Sequence, residues 1–152
     1  MLRLLSTRSA ICVAFVTLFV ITLGSIQAAD LDPKAINITL PKDIKWVATA
    51  GGSEQAILAG DPSKPGIYVV LTKWLPNKNS RPHSHPNDRF IMVMGGTMHI
   101  GTGPAFDKDN TVALPKGGFV RDVAQKVHFD GSKDDELWIQ IAGIGPASTP
   151  SR

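Results

Sequence analysis

Beyond Ile36 the chain is a succession of short apolar runs, each broken by Gly, Pro, Asn or Asp. The pattern predicts nine strands: Lys45–Val47, Ser53–Ala59, Gly66–Trp74, Phe90–Met94, Thr97–Gly101, Thr111–Leu114, Phe119–Val123, Lys126–Phe129 and Leu137–Ile144. In the last run Leu137, Ile139 and Ile141 alternate with Trp138, Gln140 and Ala142, the period-2 signature of a strand with one inward face. Phe90 to Met94 is apolar at every position, which predicts a central strand with Met92 and Met94 as core fillers. The linkers carry turn residues, such as Asp107-Lys108-Asp109-Asn110 and Pro115-Lys116-Gly117-Gly118. Gly95-Gly96 between two apolar runs reads as a two-residue hairpin, since primed turns need positive φ. No helical periodicity and no internal repeat emerge. Many short, evenly spaced strands predict an all-β antiparallel sandwich or barrel.

The N-terminus has a different pattern. Arg3 and Arg8 precede an apolar stretch from Ala10 to Gly24, and small residues follow up to Ala29. This reads as a cleaved, bacterial-type signal peptide over 1–28, so the expected location is periplasmic or secreted. An N-terminal arm over 29–44, a β-domain over 45–146 and a flexible tail over 147–152 complete the expected organisation. The only cysteine, Cys12, lies in the leader, which leaves the mature domain without disulfides or thiolate ligands. Without Arg3 and Arg8 the formal charge drops from +3 to +1, and no basic cluster remains for nucleic acid. No later segment is apolar enough to imply a membrane partner after cleavage.

The chemistry concentrates in Arg81-Pro82-His83-Ser84-His85-Pro86. In extended chain, residues i and i+2 share a face roughly 6–7 Å apart. Two imidazoles so placed can converge on one divalent ion at about 2.0–2.1 Å. A polar loop between prolines is the simpler alternative for this tripeptide. No phosphate-binding glycine loop and no ordered Ser-His-Asp set stands out. Asp134-Asp135-Glu136 reads as a solvated hairpin, and Tyr68, Trp74, Phe119 and Trp138 as core or pocket aromatics.

The domain resembles the cupin superfamily. In that pattern HxH is followed by a glutamate and, six residues later, a glycine. Here His83-Ser84-His85 is followed by Arg89 in the glutamate position and by Gly96 in register, while Asn77 stands where an opening glycine is expected. The second motif, PxGxxH, survives only through the histidine of Val123-Ala124-Gln125-Lys126-Val127-His128. Gly96-Thr97-Met98-His99-Ile100-Gly101-Thr102-Gly103, Pro115-Lys116-Gly117-Gly118-Phe119, Lys126-Val127-His128-Phe129 and Ile141-Ala142-Gly143-Ile144-Gly145-Pro146 are similar to segments of small exported cupins.

The resemblance implies a jelly-roll barrel, commonly a homodimer, whose metal ligands are His83, His85 and His128. The expected cofactor is a divalent transition metal: Fe, Mn, Zn, Ni or Cu. Such a site implies a small-molecule partner and an oxygenase, isomerase or lyase activity, since cupins with three histidines include dioxygenases. A non-catalytic metal- or ligand-binding module of the cell envelope and a metal-free structural cupin are the alternatives. Arg89 is expected to swing away from the ion or to bind an anionic group of the substrate. Asp88 could replace the missing carboxylate through a bulge, or simply sit in an Asn-Asp turn with Asn87. His99 could line the cavity as a hydrogen-bond donor or proton relay, or be a partly exposed sheet histidine.

Overall fold

The computed structural model describes residues 30–49 and 51–147. The expected leader with Cys12, and the expected tail from residue 148 onward, lie outside these residues. The chain divides into two units, Met1–Asn37 and Ile38–Arg152. Within the first, Asp32 organises a turn: its carbonyl accepts from Ala35 and Ile36, and its carboxylate from the Lys34 amide.

The second unit opens with a short 3-10 turn, Pro41–Asp43, and then builds nine strands. They are β1 (Val47–Ala48), β2 (Ser53–Ala59), β3 (Gly66–Trp74), β4 (Arg89–Gly95), β5 (Thr97–Thr102), β6 (Val112–Pro115), β7 (Phe119–Asp122), β8 (His128–Gly131) and β9 (Leu137–Gly145). Six form one sheet in the order β1-β2-β3-β9-β4-β7, and three form a second in the order β6-β5-β8. Every neighbouring pair is antiparallel. This is the expected jelly-roll architecture, and each predicted strand is present within a few residues.

The core lies on the inner faces. On β9, Leu137, Ile139 and Ile141 are buried, and they meet Val70, Ile91, Val93 and Met98 from β3, β4 and β5. Fully burying a side chain of this size contributes about 1.5–3 kcal/mol, so the set outweighs any surface interaction in the domain. Gly101 makes room for one more core residue: a Cβ there would lie 2.1 Å from the Phe129 ring.

The structure corrects three expectations. Gly95-Gly96 is not a hairpin, because β4 belongs to the large sheet and β5 to the small one. It is a corner between sheets, and Gly96 takes φ +71° where a Cβ would strike the Glu136 carbonyl at 2.2 Å. Met92 and Met94 are not core fillers. β4 is indeed interior to its sheet, but Phe90, Met92 and Met94 project from its outer face and are exposed, as is Phe119, which stacks with Phe90. Trp138 is likewise on the outer face, edge-on to Trp46, with Lys73 Nζ about 5 Å from both rings.

Candidate metal centre

The HxH tripeptide lies between β3 and β4, in an extended segment that runs antiparallel to β8. Asn79 bridges to Gly131 and His83 to His128. Between these bridges, the Ser80 amide donates to the Asp130 carbonyl, and the Ser80 hydroxyl lies 3.0 Å from the Asp130 carboxylate. The His85 carbonyl accepts from the Gln125 amide, which pins the loop after β7 against the same segment. That loop turns at Val123–Lys126, and Gln125 occupies the position that needs positive φ, at 61°. Gln125 thus adopts the backbone of the glycine that the second motif leads one to expect.

The three histidines come together through these tethers. Ring centroids are 4.8 Å apart for His83 and His85, 4.6 Å for His83 and His128, and 5.4 Å for His85 and His128. One nitrogen from each lies within 4.8 Å of the others, so the three could hold a metal ion. Their protons are placed for it. His83 Nδ1 is 2.7 Å from the Arg81 carbonyl and His128 Nδ1 is 3.1 Å from the Lys126 carbonyl. A carbonyl only accepts, so each Nδ1 carries the hydrogen and each Nε2 keeps a lone pair. Backbone carbonyls orient metal-binding imidazoles in this way. His85 Nδ1, His85 Nε2 and His128 Nε2 are buried and have no hydrogen-bond partner, an arrangement that is costly unless something else satisfies them.

The electrostatics divide the cluster. Burial, reinforced by Arg89 and the two other imidazoles, pushes the His85 pKa down to about 3, so this ring is neutral. Burial also lowers His83. For His128 burial acts in the same direction, but the Asp122 carboxylate 3.4 Å from Nε2 outweighs it, and the net shift is upward. That contact is one of charge alone, since its geometry falls short of a hydrogen bond. Burial opposes the Asp122 charge, yet His128 and Arg89 hold its pKa down to about 2.

The remaining expected residues fall as follows. The partner of Arg89 is Asp122, with Nε and Nη2 both donating to Oδ2 at 3.1 and 2.6 Å, and the guanidinium stays close enough for its charge to lower His85 and His83. Asp88 does not face the cluster. Its Oδ2 accepts from Arg121 and its Oδ1 from the Ala124 amide, so it braces the loop that leads to His128. Asn87 donates to the Ile144 carbonyl. His99 stands between buried Met98 and core-facing Ile100, on the opposite face of β5, and its Nδ1 lies 3.4 Å from Thr111 Oγ1. Asp122 was not anticipated from the sequence. Its only local signal is the buried fourth position of Phe119-Val120-Arg121-Asp122, and its partners are distant in the chain.

Two cavities adjoin the centre. The smaller, about 160 Å³, is bordered by His83 and Arg89 and has polar walls from Gln55, Thr72, Ser80 and Asp130. The larger, about 470 Å³, reaches Arg89 and Gln55 past Tyr68 and Val70. Of the expected pocket aromatics, Tyr68 and Trp74 line these spaces, while Phe119 and Trp138 do not.

Similar folds are known. The polyketide cyclase RemF from Streptomyces resistomycificus is 16% identical, with a TM-score of 0.61 over 76% of this chain and 82% of its own. An RmlC-like cupin from Shewanella frigidimarina NCIMB 400 is 12% identical, with a TM-score of 0.58 over 77% and 93%. KdgF from Halomonas sp. is 17% identical, with a TM-score of 0.57 over 72% and 94%. A search of curated proteins found no match. The family model of the ChrR cupin-like domain matches residues 35–143, well over half of the sequence, and the chain therefore belongs to the ChrR cupin-like family of cupins.

Proposed function

We propose that this is an exported metal-dependent cupin that uses His83, His85 and His128 to hold one divalent transition metal and acts on a small, oxygen-rich molecule. The observation that carries this reading is the pair of Nδ1–H bonds to the Arg81 and Lys126 carbonyls, which leaves two Nε2 lone pairs free beside the unpartnered nitrogens of His85. Borderline imidazole donors suit Fe, Mn, Zn, Ni or Cu in this setting. When bound, the ion supplies a Lewis acid with positions left open for substrate or water.

The rest is the work of the chain. The polar wall of Gln55, Thr72, Ser80 and Asp130 offers donors and acceptors to a hydroxyl- or carbonyl-bearing ligand. Ile139 and Ile141 contribute apolar surface to the same cavity. Arg89 borders both cavities and presents positive charge to an anionic group entering from the larger one. The fold shared with a polyketide cyclase is in keeping with oxygenase, isomerase or lyase chemistry on such a ligand. The leader over 1–28 supports export to the periplasm or beyond, and N-terminal sequencing of the mature protein near Ala29 tests it.

A binding module without turnover is the second reading. The cavity beside His83, at about 160 Å³, is smaller than the ~300–1,000 Å³ usual for ligand pockets. Elemental analysis of purified protein, with thermal unfolding in the presence and absence of a chelator, tests the shared premise. About one ion per chain and a lower Tm in chelator are expected. A metal-free protein whose Tm ignores chelator and added Zn(II), Fe(II) or Ni(II) overturns both readings. A loaded protein inert towards oxygen and small hydroxy and keto acids selects the second.

A further inference from the structure

Arg89 stands where the cupin pattern has its metal-binding glutamate, and Arg89 and Asp122 are direct partners across the β4–β7 ladder. The side chains of such a pair extend from the same face. Asp122 is the only fully buried residue of β7, with its side chain 4% exposed, and it reaches His128 Nε2 at 3.4 Å. The lone pair at that Nε2 is the one left free by the Lys126 carbonyl.

We infer, given a metal at the three histidines, that the acidic ligand has moved across the ladder: Asp122 supplies the fourth ligand, and Arg89 is the positioning residue that aims its carboxylate. Two donors bound tetrahedrally at about 2.0–2.1 Å from one ion are about 3.4 Å apart. The Oδ2–Nε2 separation already matches that edge. The imidazole nitrogens, which span up to 4.8 Å, must draw in around an ion, while Asp122 Oδ2 already stands 3.4 Å from the His128 corner of the cluster. Among the described residues Asp122 is the one acid whose carboxylate comes within ion-pair distance of a cluster nitrogen, whereas Asp88 is taken by Arg121 and the Ala124 amide. The pair also has a reason to be buried. Ion pairs inside proteins seldom stabilise the fold enough to offset their desolvation, so a carboxylate fixed by arginine against a bare imidazole nitrogen points to a ligand to be held in place.

The test is Co(II) and Zn(II) binding to the purified mature chain, read by visible absorption and chelator competition. Asp122→Asn is expected to weaken both metals by at least ~100-fold, beyond the ~10–100-fold typical of a residue behind the ligands, and to change the Co(II) spectrum. Because this variant leaves Arg89 without its counter-charge, Arg89→Gln/Asp122→Asn is measured beside it, with folding checked by circular dichroism. The double variant has the same net charge as the parent, so an effect due only to the field of Asp122 is largely cancelled, whereas loss of a ligand persists. Affinity within about threefold of the parent in the double variant, with an unchanged spectrum, overturns the inference and leaves the three-histidine site standing. A parent protein that binds neither metal overturns both.

Discussion

His83 and His128 exchange both of their backbone hydrogen bonds, N–H to carbonyl in each direction, at 2.9 and 3.0 Å. They form an antiparallel pair in miniature, although neighbouring residues of the HxH segment lie outside any long strand. The ring positions are therefore set by the main chain, with the Arg81 and Lys126 carbonyls fixing their rotation. The metal site is not needed to assemble the segment that carries it.

A consequence is that removing a ring removes the site without removing the fold. His85 is the sharpest case, because both its ring nitrogens are buried without partners. His85→Leu replaces a desolvated polar group with an apolar one of similar size. It is expected to raise the stability of the metal-free protein by about 1 kcal/mol while abolishing stoichiometric metal binding. Denaturant unfolding in chelator, paired with metal titration, checks both. A destabilised His85→Leu variant would mean that the imidazole has a structural partner.

The protonation pattern sets two pH dependences. In metal-free protein the His85 pKa falls from 6.5 unfolded to about 3 folded, so between these values the unfolded chain binds more protons. Stability from this group is therefore present above pH ~6.5 and is lost as pH falls towards 3, on the order of a few kcal/mol. His128 is shifted upward and works the other way: its contribution is present below its unfolded pKa and is lost as pH rises through the folded value. Below the folded pKa of His128, metal must displace the second proton of that ring, whereas His85 has none to give. Calorimetric titration in buffers of different ionisation enthalpy, run below the folded pKa of His128, is expected to report release of about one proton per ion. Release of none would show that His128 is not a ligand.

The nine strands could be anticipated because the period of burial is local: Leu137, Ile139 and Ile141 announce an inward face wherever the strand ends up. Sheet membership is not local. A Gly-Gly pair serves a hairpin and a sheet-to-sheet corner equally well, and what decides at Gly95-Gly96 is the approach of the Glu136 carbonyl some forty residues away. The same limit hides Asp122. Arg121 and Asp122 read as ordinary polar residues at a strand end, and only the β4–β7 register shows that one pairs with Asp88 outside and the other with Arg89 inside. The apolar outer face of β4 misled in the opposite direction, because hydrophobicity alone does not distinguish a core from an exposed strip.

Gln125 illustrates a conformation kept after its usual residue has gone. A non-glycine residue at φ 61° costs about 1–2 kcal/mol, and glycine loses about 0.5–1 kcal/mol in backbone entropy when it is fixed. Gln125→Gly is thus expected to stabilise the domain by roughly 0.5–1 kcal/mol, and Gln125→Val to destabilise it by at least as much. Thermal unfolding of the two variants in chelator gives the answer, and a Gly variant less stable than the parent would contradict the assigned backbone.

Asp88 distinguishes a ligand from a brace. Its two oxygens are taken by Arg121 and by the Ala124 amide, at 2.7 and 2.8 Å, in the turn that precedes Gln125 and His128. Asp88→Ala leaves the Ala124 N–H without its charged acceptor and so lowers the stability of the domain. The loop then holds His128 less firmly, so affinity for Zn(II) should fall by about tenfold or less, while the stoichiometry stays at one and the Co(II) spectrum stays that of the parent. The Arg121 contact is half exposed and contributes little, so Arg121→Ala should be nearly silent in both measurements. A changed Co(II) spectrum in Asp88→Ala would instead place this carboxylate on the ion and reopen the choice of acidic ligand.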